Sequence, residues 1–185
     1  VPNLIVLRPA DATETVEAWK IALKRRHGPT ALVLTRQKLP LLDRTALAPA
    51  DGVGRGGYIL WQETASPDVI LIGTGSEIHI ALEAGKLLKK TGIAARVVSL
   101  PSWELFDAQP EDYRNSILPP NNWARVSIEA ATTLGWERYI GSEGIAIGLD
   151  RFGVSAPGKV IYEHFGLSAQ HMADEATRLL QDRRQ

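Results

Sequence analysis

The sequence predicts an α/β protein of three layers, in which a mostly parallel sheet carries helices on both faces. Short apolar runs rich in β-branched residues alternate with longer segments of helical period, which is typical of strands joined by helical crossovers. The clearest example is residues 67–90, PDVILIGTGSEIHIALEAGKLLKK, where an apolar run, a Gly-Thr-Gly turn and an amphipathic stretch follow one another. We expect this segment to form the central strand–turn–helix unit of the sheet.

Residues 1–45 predict a partial α/β segment in front of that sheet. We expect a strand over residues 3–8, a helix from Asp11 to about Arg26 and a second strand over residues 30–35. The Asp-x-x-Glu spacing at the helix start resembles a capping box. The apolar face of the helix consists of Val16, Trp19, Ala22 and Leu23. Two strands are too few for an independent core, so this segment is expected to pair with another chain or to lie against its own second domain.

The chain changes character after this segment. Residues 40–57 hold prolines and glycines without a sustained period, which is typical of a linker. The series of strands and helices that follows is long enough for a domain. The expected organisation is therefore a truncated domain at residues 1–45, a linker at 46–57 and a second domain at 58–185.

The second domain is predicted to alternate strands and helices along its length. Its strands are expected at residues 58–61, 69–72, 95–99, 125–129 and 145–149. Its helices are expected at residues 78–90, 106–116 (with Asp107 near the start), 135–139, 158–165 and 169–182, the last capped by Ser168. In the helix at residues 78–90, apolar residues form a single stripe, which predicts a buried face. The stripe consists of Ile78, Ala81, Leu82, Gly85 and Leu88.

The composition excludes several classes of function. Lys and Arg together number 21, as do Asp and Glu, so the net charge is zero and no basic footprint for nucleic acid exists. There is no cysteine, which removes disulfides, thiolate nucleophiles and cysteine metal sites. No apolar run approaches the roughly 20 residues that span a bilayer, and the chain begins at Val1 without a methionine or a signal peptide. We expect the interior of a longer protein, with neither nucleic acid nor a membrane as a partner.

The turn Gly73-Thr74-Gly75-Ser76-Glu77 matches a phosphate-binding loop only in part. Turns between a strand and a helix often bind phosphate. Here, however, Ile78 stands where the dinucleotide fingerprint requires a third glycine, and no acid ends the next strand. Glu77 would also repel a phosphate. The pattern favours a tight packing turn over a nucleotide site, with a small regulatory anion as an alternative.

Arg36 is the side chain that the sequence singles out for ligand binding. It follows a predicted buried strand at the carboxyl end, where open parallel sheets bind ligands. No acid lies within six residues on either side. The planar guanidinium suits a phosphate or a carboxylate. The alternative is a structural ion pair with an acid that is distant in sequence.

Other polar and aromatic residues favour structural roles. Glu129 ends a predicted strand without an identifiable base or nucleophile beside it, so a capping or interface role is expected. The four histidines, His27, His79, His164 and His171, lack metal-ligand spacing and are expected at the surface or partly buried, with a composite site left open. The five tryptophans are spread along the chain and are expected in cores and interfaces rather than in a base-stacking platform.

Several segments together resemble the carboxyl-terminal portion of transketolases. They are LRPADATET (7–15), GPTALVLTRQKLP (28–40), RGGYIL (55–60), PDVILIGTGSE (67–77), ARVVSLPSWELFD (95–107) and DRFGVSAPG (150–158). The match is collinear over essentially the whole chain. The resemblance implies that residues up to about Asp43 end a pyrimidine-binding domain and that the carboxyl-terminal domain begins at about Gly52.

The resemblance also implies a function for the parent protein. Transketolases transfer a two-carbon ketol unit between ketose and aldose phosphates, in the pentose phosphate pathway and the Calvin cycle. They use thiamine diphosphate and a divalent metal (Mg or Ca), bound in a homodimer of the cytoplasm or the plastid stroma. In this family the arginine of the TRQ or SRQ segment, here Arg36, helps bind the sugar phosphate.

The family's metal-binding segment, the glutamate that activates the pyrimidine and the histidines around the reacting carbonyl have no equivalents in this chain. No catalytic, cofactor-binding or metal-binding residue is therefore assigned. We expect the 185 residues to be inactive alone, with no cofactor or metal bound, and to contribute sugar-phosphate binding and subunit assembly. A stand-alone interaction or regulatory module of the same fold is the alternative function, and dihydroxyacetone synthase is the alternative relative.

Overall fold

A computed structural model describes residues 1–182, which begin with a βαβ unit. The unit consists of strand β1 (Ile5–Leu7), helix α1 (Ala12–Lys24) and strand β2 (Thr30–Leu32), with the two strands paired in parallel. Asp11 caps α1, because its carboxylate accepts the N–H of Glu14 at 2.9 Å. Glu14 accepts in return from the N–H of Ala10 at 2.8 Å. The predicted capping pattern is thus present, with its return bond displaced by one residue.

A five-stranded sheet covered on both faces follows. Its strands are β3 (Tyr58–Gln62), β4 (Val69–Gly73), β5 (Ala95–Ser99), β6 (Arg125–Ile128) and β7 (Ile145–Ile147), in the spatial order β3-β5-β4-β6-β7. Its helices are α2 (Ile78–Lys90), α3 (Trp103–Asp107), α4 (Glu111–Ile117), α5 (Glu137–Ile140), α6 (Gly158–His164) and α7 (Ala169–Asp182). Only β3 pairs antiparallel in this sheet, so the predicted three-layer, mostly parallel architecture is confirmed.

Alternating side chains of the sheet separate two hydrophobic cores. Along β4, Val69 and Leu71 belong to one core and Ile70 and Ile72 to the other, as the two-residue period of a strand requires. The first core lies under α2 and α7, and the second under α3, α4 and α5. Every residue of β4 is buried, which explains why its sequence is a continuous apolar run.

Helix α2 buries the stripe that the sequence predicts, from Ile78 to Leu88. Gly85 lies on this face, and a Cβ placed there would meet the Trp61 ring at 3.0 Å and Val97 at 3.2 Å. The small residue therefore lets the helix approach the sheet closely. Within residues 1–182, no helix combines the length and the apolar character that crossing a membrane requires.

Two predicted elements differ from the structure by more than two residues at one or both ends. The helix expected at 106–116 is divided into α3 and α4, because Pro110 takes an extended conformation at the start of α4 and a proline ring disrupts a continuing helix. Asp107 therefore ends α3 instead of beginning a helix. The strand expected at 30–35 stops at Leu32, since the chain after β1 turns away and the Arg8 N–H bonds to the Pro101 carbonyl at 2.9 Å.

Residues 40–57, whose composition is typical of a linker, pack on both of their neighbours. Arg44 donates hydrogen bonds to Thr13 Oγ1 at 3.0 Å and to Tyr58 Oη at 3.0 Å. Leu42 and Val53 are buried in the first core. A 3₁₀ helix (Ala50–Arg55) leads into β3. The βαβ unit thus lies against the rest of its own chain, which is one of the two outcomes expected for it.

Candidate functional site

Arg36 lies in an exposed, irregular segment four residues beyond β2. Within residues 1–182 its guanidinium forms no hydrogen bond and no ion pair. The alternative considered from the sequence, a structural ion pair with a distant acid, is therefore not found in the described part of the chain. All five N–H donors of the side chain are available to a ligand.

The segment around Arg36 forms one wall of a groove. Thr35, Gln37 and Leu39 line a cavity of about 310 Å³ together with residues of α2 and α6, among them Lys159. Gln37 packs tightly against the start of α6, because a Cβ placed on Gly158 would lie 2.6 Å from Gln37 Nε2. Two segments that are far apart in sequence, around Gln37 and around Gly158, thus form one surface. Lys159 and Glu163 both line it, and Arg36 lies beside it.

Three charged residues meet where the carboxyl ends of β1, β4 and β6 converge. Arg8 Nη1 lies 2.7 Å from Glu129 Oε1, and Arg8 Nη2 lies 3.5 Å from Glu77 Oε2. Glu77 is fully buried and also accepts from Tyr162 Oη at 2.6 Å and from the Ala130 N–H at 3.2 Å. These three residues, which we call the Arg8 cluster (Arg8, Glu77 and Glu129), join the βαβ unit to the sheet.

Burial raises the pKa of Glu129 above its ordinary value. The charge of Arg8 and the hydrogen bond from Trp136 Nε1, at 2.8 Å, lower that pKa, while the nearby Glu77 carboxylate raises it further. Both carboxylate oxygens of Glu129 are thus engaged, and the contact with Arg8 joins the βαβ unit to the sheet. This arrangement agrees with the interface role predicted for Glu129.

The glycine turn after β4 packs on the βαβ unit. Gly75 has a φ of +57°, which side-chain-bearing residues rarely adopt. Its N–H, which a phosphate would need, donates instead to the Arg8 carbonyl at 2.9 Å. Glu77 is the residue before α2, and the negative charge of its buried carboxylate would repel an anion at the start of that helix. The turn is therefore a packing turn, which the sequence favoured, and not a phosphate cradle.

A second buried polar network was missed in the sequence. Glu14 is fully buried in α1 and accepts hydrogen bonds from Tyr58 Oη at 2.6 Å and from Ser99 Oγ at 2.8 Å. Arg44 Nη2 lies 3.9 Å from Glu14 and 3.3 Å from Asp11. Burial raises the pKa of Glu14, and the hydrogen bonds and the Arg44 charge offset this only in part.

The only sequence signal for this network was the Asp-x-x-Glu spacing, which reports a local cap. The main partners of Glu14 lie 44 and 85 residues further along the chain, so no local pattern identifies them.

The histidines and tryptophans take mostly structural positions. His79 contacts the Ala10 carbonyl at 3.1 Å and His171 the Gly166 carbonyl at 2.7 Å, while His27 and His164 are exposed. Across residues 1–182 no three or more His, Asp or Glu side chains are grouped so that they could hold a metal ion. Trp136 is buried in the second core as expected, whereas Trp19 is 51% exposed.

Comparison with known proteins was made at the level of family, sequence and structure. Residues 56–168 match the family described as "Transketolase-like TK C-terminal domain", and residues 1–41 match "Transketolase, pyrimidine binding domain". A transketolase of Aquifex aeolicus is 47% identical over 95% of this chain and 25% of its own length. A chloroplastic transketolase of Craterostigma plantagineum is 50% identical over 97% of this chain and 34% of its own length. The chain thus spans about a quarter to a third of the length of these relatives.

Solved structures of transketolases are also similar to this chain. A transketolase from Leishmania mexicana superimposes with a TM-score of 0.89 at 37% identity, over 98% of this chain and 26% of that one. A Pichia stipitis transketolase mutant in complex with xylulose 5-phosphate gives 0.87 at 38% identity, over 97% and 25%. A structure described as a split-gene transketolase, an inactive β4 tetramer, gives 0.75 at 26% identity, over 98% and 58%.

Proposed function

The chain belongs to the transketolase family, and we propose that it forms the carboxyl-terminal part of a complete transketolase. In this proposal residues 1–45 end the pyrimidine-binding domain, residues 46–57 link the domains and residues 58–185 are the carboxyl-terminal domain. The whole protein transfers a two-carbon ketol unit from a ketose phosphate to an aldose phosphate. Its compartment is the cytoplasm or, in a plant, the plastid stroma, which fits relatives that are bacterial and chloroplastic.

Thiamine diphosphate and its divalent metal are assigned to other parts of the proposed enzyme. The described residues do not fit a metal–diphosphate site, because no ligand cluster is present within residues 1–182 and the glycine turn after β4 carries the buried carboxylate of Glu77. When bound, thiamine diphosphate supplies the nucleophile for ketol transfer. The task that we propose for this chain is to hold the phosphate end of the sugar.

The observation that carries this assignment is the exposed, unpaired guanidinium of Arg36. Its sequence neighbours Thr35 and Gln37 line the groove together with Lys159. A phosphate monoester has about two negative charges and three acceptor oxygens, which suit the planar fork of an arginine. Binding energy that is remote from the reacting carbons orients them and contributes to the rate. A sugar phosphate bound to the Pichia stipitis relative supports the substrate class.

The test is Arg36→Ala in the complete enzyme. We expect KM for a ketose phosphate to rise about 10- to 100-fold, equivalent to about 1.5–3 kcal/mol, because a charge-assisted hydrogen-bond pair is lost. KM for a ketose without phosphate should stay unchanged. Steady-state kinetics with both substrates provide the measurement.

Two further variants control this experiment. Arg36→Lys keeps the charge but not the planar fork, so its KM should lie between those of the wild type and the alanine variant. Arg26→Ala removes an exposed arginine just after α1 and should change neither KM. An unchanged KM for phosphorylated sugars in Arg36→Ala, or an equal loss for both substrates, would contradict the assignment.

We also propose that the 185 residues are inactive alone and contribute to subunit assembly. The related split-gene protein, 58% of which this chain covers, is described as an inactive tetramer. An exposed apolar stripe on α1, formed by Val16, Trp19 and Leu23, supports a role in assembly. Turnover of xylulose 5-phosphate and ribose 5-phosphate by the purified chain would disprove its inactivity.

A further inference from the structure

Three arginines lie close together at the end of the sheet strands opposite the Arg8 cluster. A cavity of about 510 Å³ lies beside the start of β6 and is lined by Arg114, Arg125 and Arg138. Asp107 is the acidic residue in the same lining, so the formal charge of the lining is +2. Arg125 begins β6 and Glu129 follows its last residue, which separates the cavity from the Arg8 cluster by roughly 13 Å of strand.

Arg125 contributes a positive charge that no carboxylate neutralises. Its guanidinium donates to four backbone carbonyls, those of Asn122, Tyr139, Leu118 and Pro119, at distances of 2.6–3.2 Å. It forms no ion pair within the described residues 1–182. Burial lowers the pKa of Arg125, because a charged group loses hydration in the protein. A nearby anion would therefore stabilise the charged form.

Arg114 contributes hydrogen-bond donors. Within residues 1–182 its side chain makes one hydrogen bond, from Nη1 to the Asp107 carbonyl at 3.3 Å. The Asp107 carboxylate is already engaged by Arg138 Nη1 at 2.8 Å and by Tyr139 Oη at 3.0 Å. Arg114 therefore keeps most of its donors free at the wall of the cavity.

We propose that this cavity binds the phosphate group of a small metabolite. The free fork of Arg114 supplies directed hydrogen bonds, and Arg125 supplies a positive charge that no carboxylate within residues 1–182 neutralises, whereas Arg138 is paired with Asp107. Phe106, Leu118 and Pro120 also line the cavity and offer apolar contact to the remainder of the ligand. The site is separate from the groove beside Arg36 and does not depend on the proposed ketol transfer.

The test is isothermal titration calorimetry of the 185-residue chain with inorganic phosphate and with pyrophosphate at low ionic strength. We expect saturable binding that Arg114→Gln weakens about tenfold or more, the effect of losing a charge-assisted hydrogen bond. Arg114→Lys, which keeps the charge but loses the fork, should bind with intermediate affinity. Thermal unfolding of each variant establishes that it is folded.

Two matched controls locate the binding. Arg26→Gln removes an exposed arginine near α1 and should not change the affinity. Arg36→Gln removes the cation to which we assign the sugar phosphate, so it should abolish only a second binding event and leave the one that Arg114→Gln weakens. The proposal is overturned if neither anion gives saturable heat or if all the arginine variants weaken binding equally, which would indicate diffuse attraction. It is equally overturned if binding is lost in Arg36→Gln alone, which would place the anion in the groove beside Arg36.

Discussion

Helices α1 and α2 are both 13 residues long and amphipathic. Helix α2 buries its apolar face, whereas α1 leaves its apolar face exposed and buries the face that carries Glu14. In α2 the apolar stripe that includes Leu88 is buried against the sheet and α7. In α1 the apolar stripe lies outside, with Val16 53%, Trp19 51% and Leu23 71% exposed. The fully buried residues of α1 are instead Glu14 and Ala18.

The cause is what lies opposite each helix. Helix α2 faces the apolar side chains of β4 and β5, whereas α1 faces Tyr58, Ser99 and Arg44, whose donors satisfy the Glu14 carboxylate. A buried charge is tolerated when hydrogen bonds and an opposite charge compensate for its lost hydration. Periodicity therefore identifies an amphipathic helix, but the partner surface decides which face is buried.

Glu14→Ala is the substitution that tests the comparison of α1 with α2 most strongly. The substitution leaves the hydroxyls of Tyr58 and Ser99 and the Ala10 N–H without their acceptor, so we expect a loss of about 3–5 kcal/mol in the free energy of unfolding. Urea unfolding of the chain provides the measurement. Glu17→Ala, on the same helix, removes a pair between the half-buried Glu17 and the exposed Lys20 and should cost no more than about 0.5 kcal/mol. Equal losses in the two variants would show that the polar face does not anchor α1.

A matched pair of leucines tests the two apolar faces. Leu88→Ala in α2 opens a cavity in the core and should lower the free energy of unfolding by about 3 kcal/mol. Leu23→Ala near the end of α1 removes an exposed side chain and should change it by less than about 0.5 kcal/mol. A comparable loss for Leu23→Ala would mean that its face is covered when the protein is in solution, for example in an oligomer. Sedimentation of the same samples would detect that oligomer.

The pH dependence of stability gives the smallest and most specific effect. Burial raises the pKa of Glu14, so the folded chain holds the proton more tightly than the unfolded chain. This contribution is complete below the ordinary glutamate pKa and is lost as pH rises through the raised value. Glu14→Gln cannot titrate, so the free energy of unfolding of the wild type minus that of the variant should fall as pH rises above about 4.

The outcome for Leu88→Ala sets the reference for that experiment. No titrating group is removed there, so its difference from wild type should stay constant over the same pH range. A difference for Glu14→Gln that is constant or grows with pH would show that Glu14 is not held with a raised pKa.

The sequence predicted best where the structural signal is local. Strand β5 and helix α7 have the expected bounds, because an apolar run and a serine cap mark them. The Ser168 hydroxyl does accept the His171 N–H, at 3.2 Å. Pro110, which divides α3 from α4, is also a local signal, but the predicted single helix at 106–116 runs through it. The early end of β2 was not predictable in this way, because it depends on where β1 turns away.

Sequence alone determined the family, the alternation of strands and helices, and Arg36 as a cation without a nearby acid. These properties are carried by neighbouring residues and by collinear motifs. Only the tertiary structure decided that Glu14 is buried with Tyr58 and Ser99, that Arg8 joins Glu77 and Glu129, and that Arg114 lies beside Arg125. Electrostatic and hydrogen-bond energies depend on distance in space, and the fold brings these groups together from distant positions in the chain.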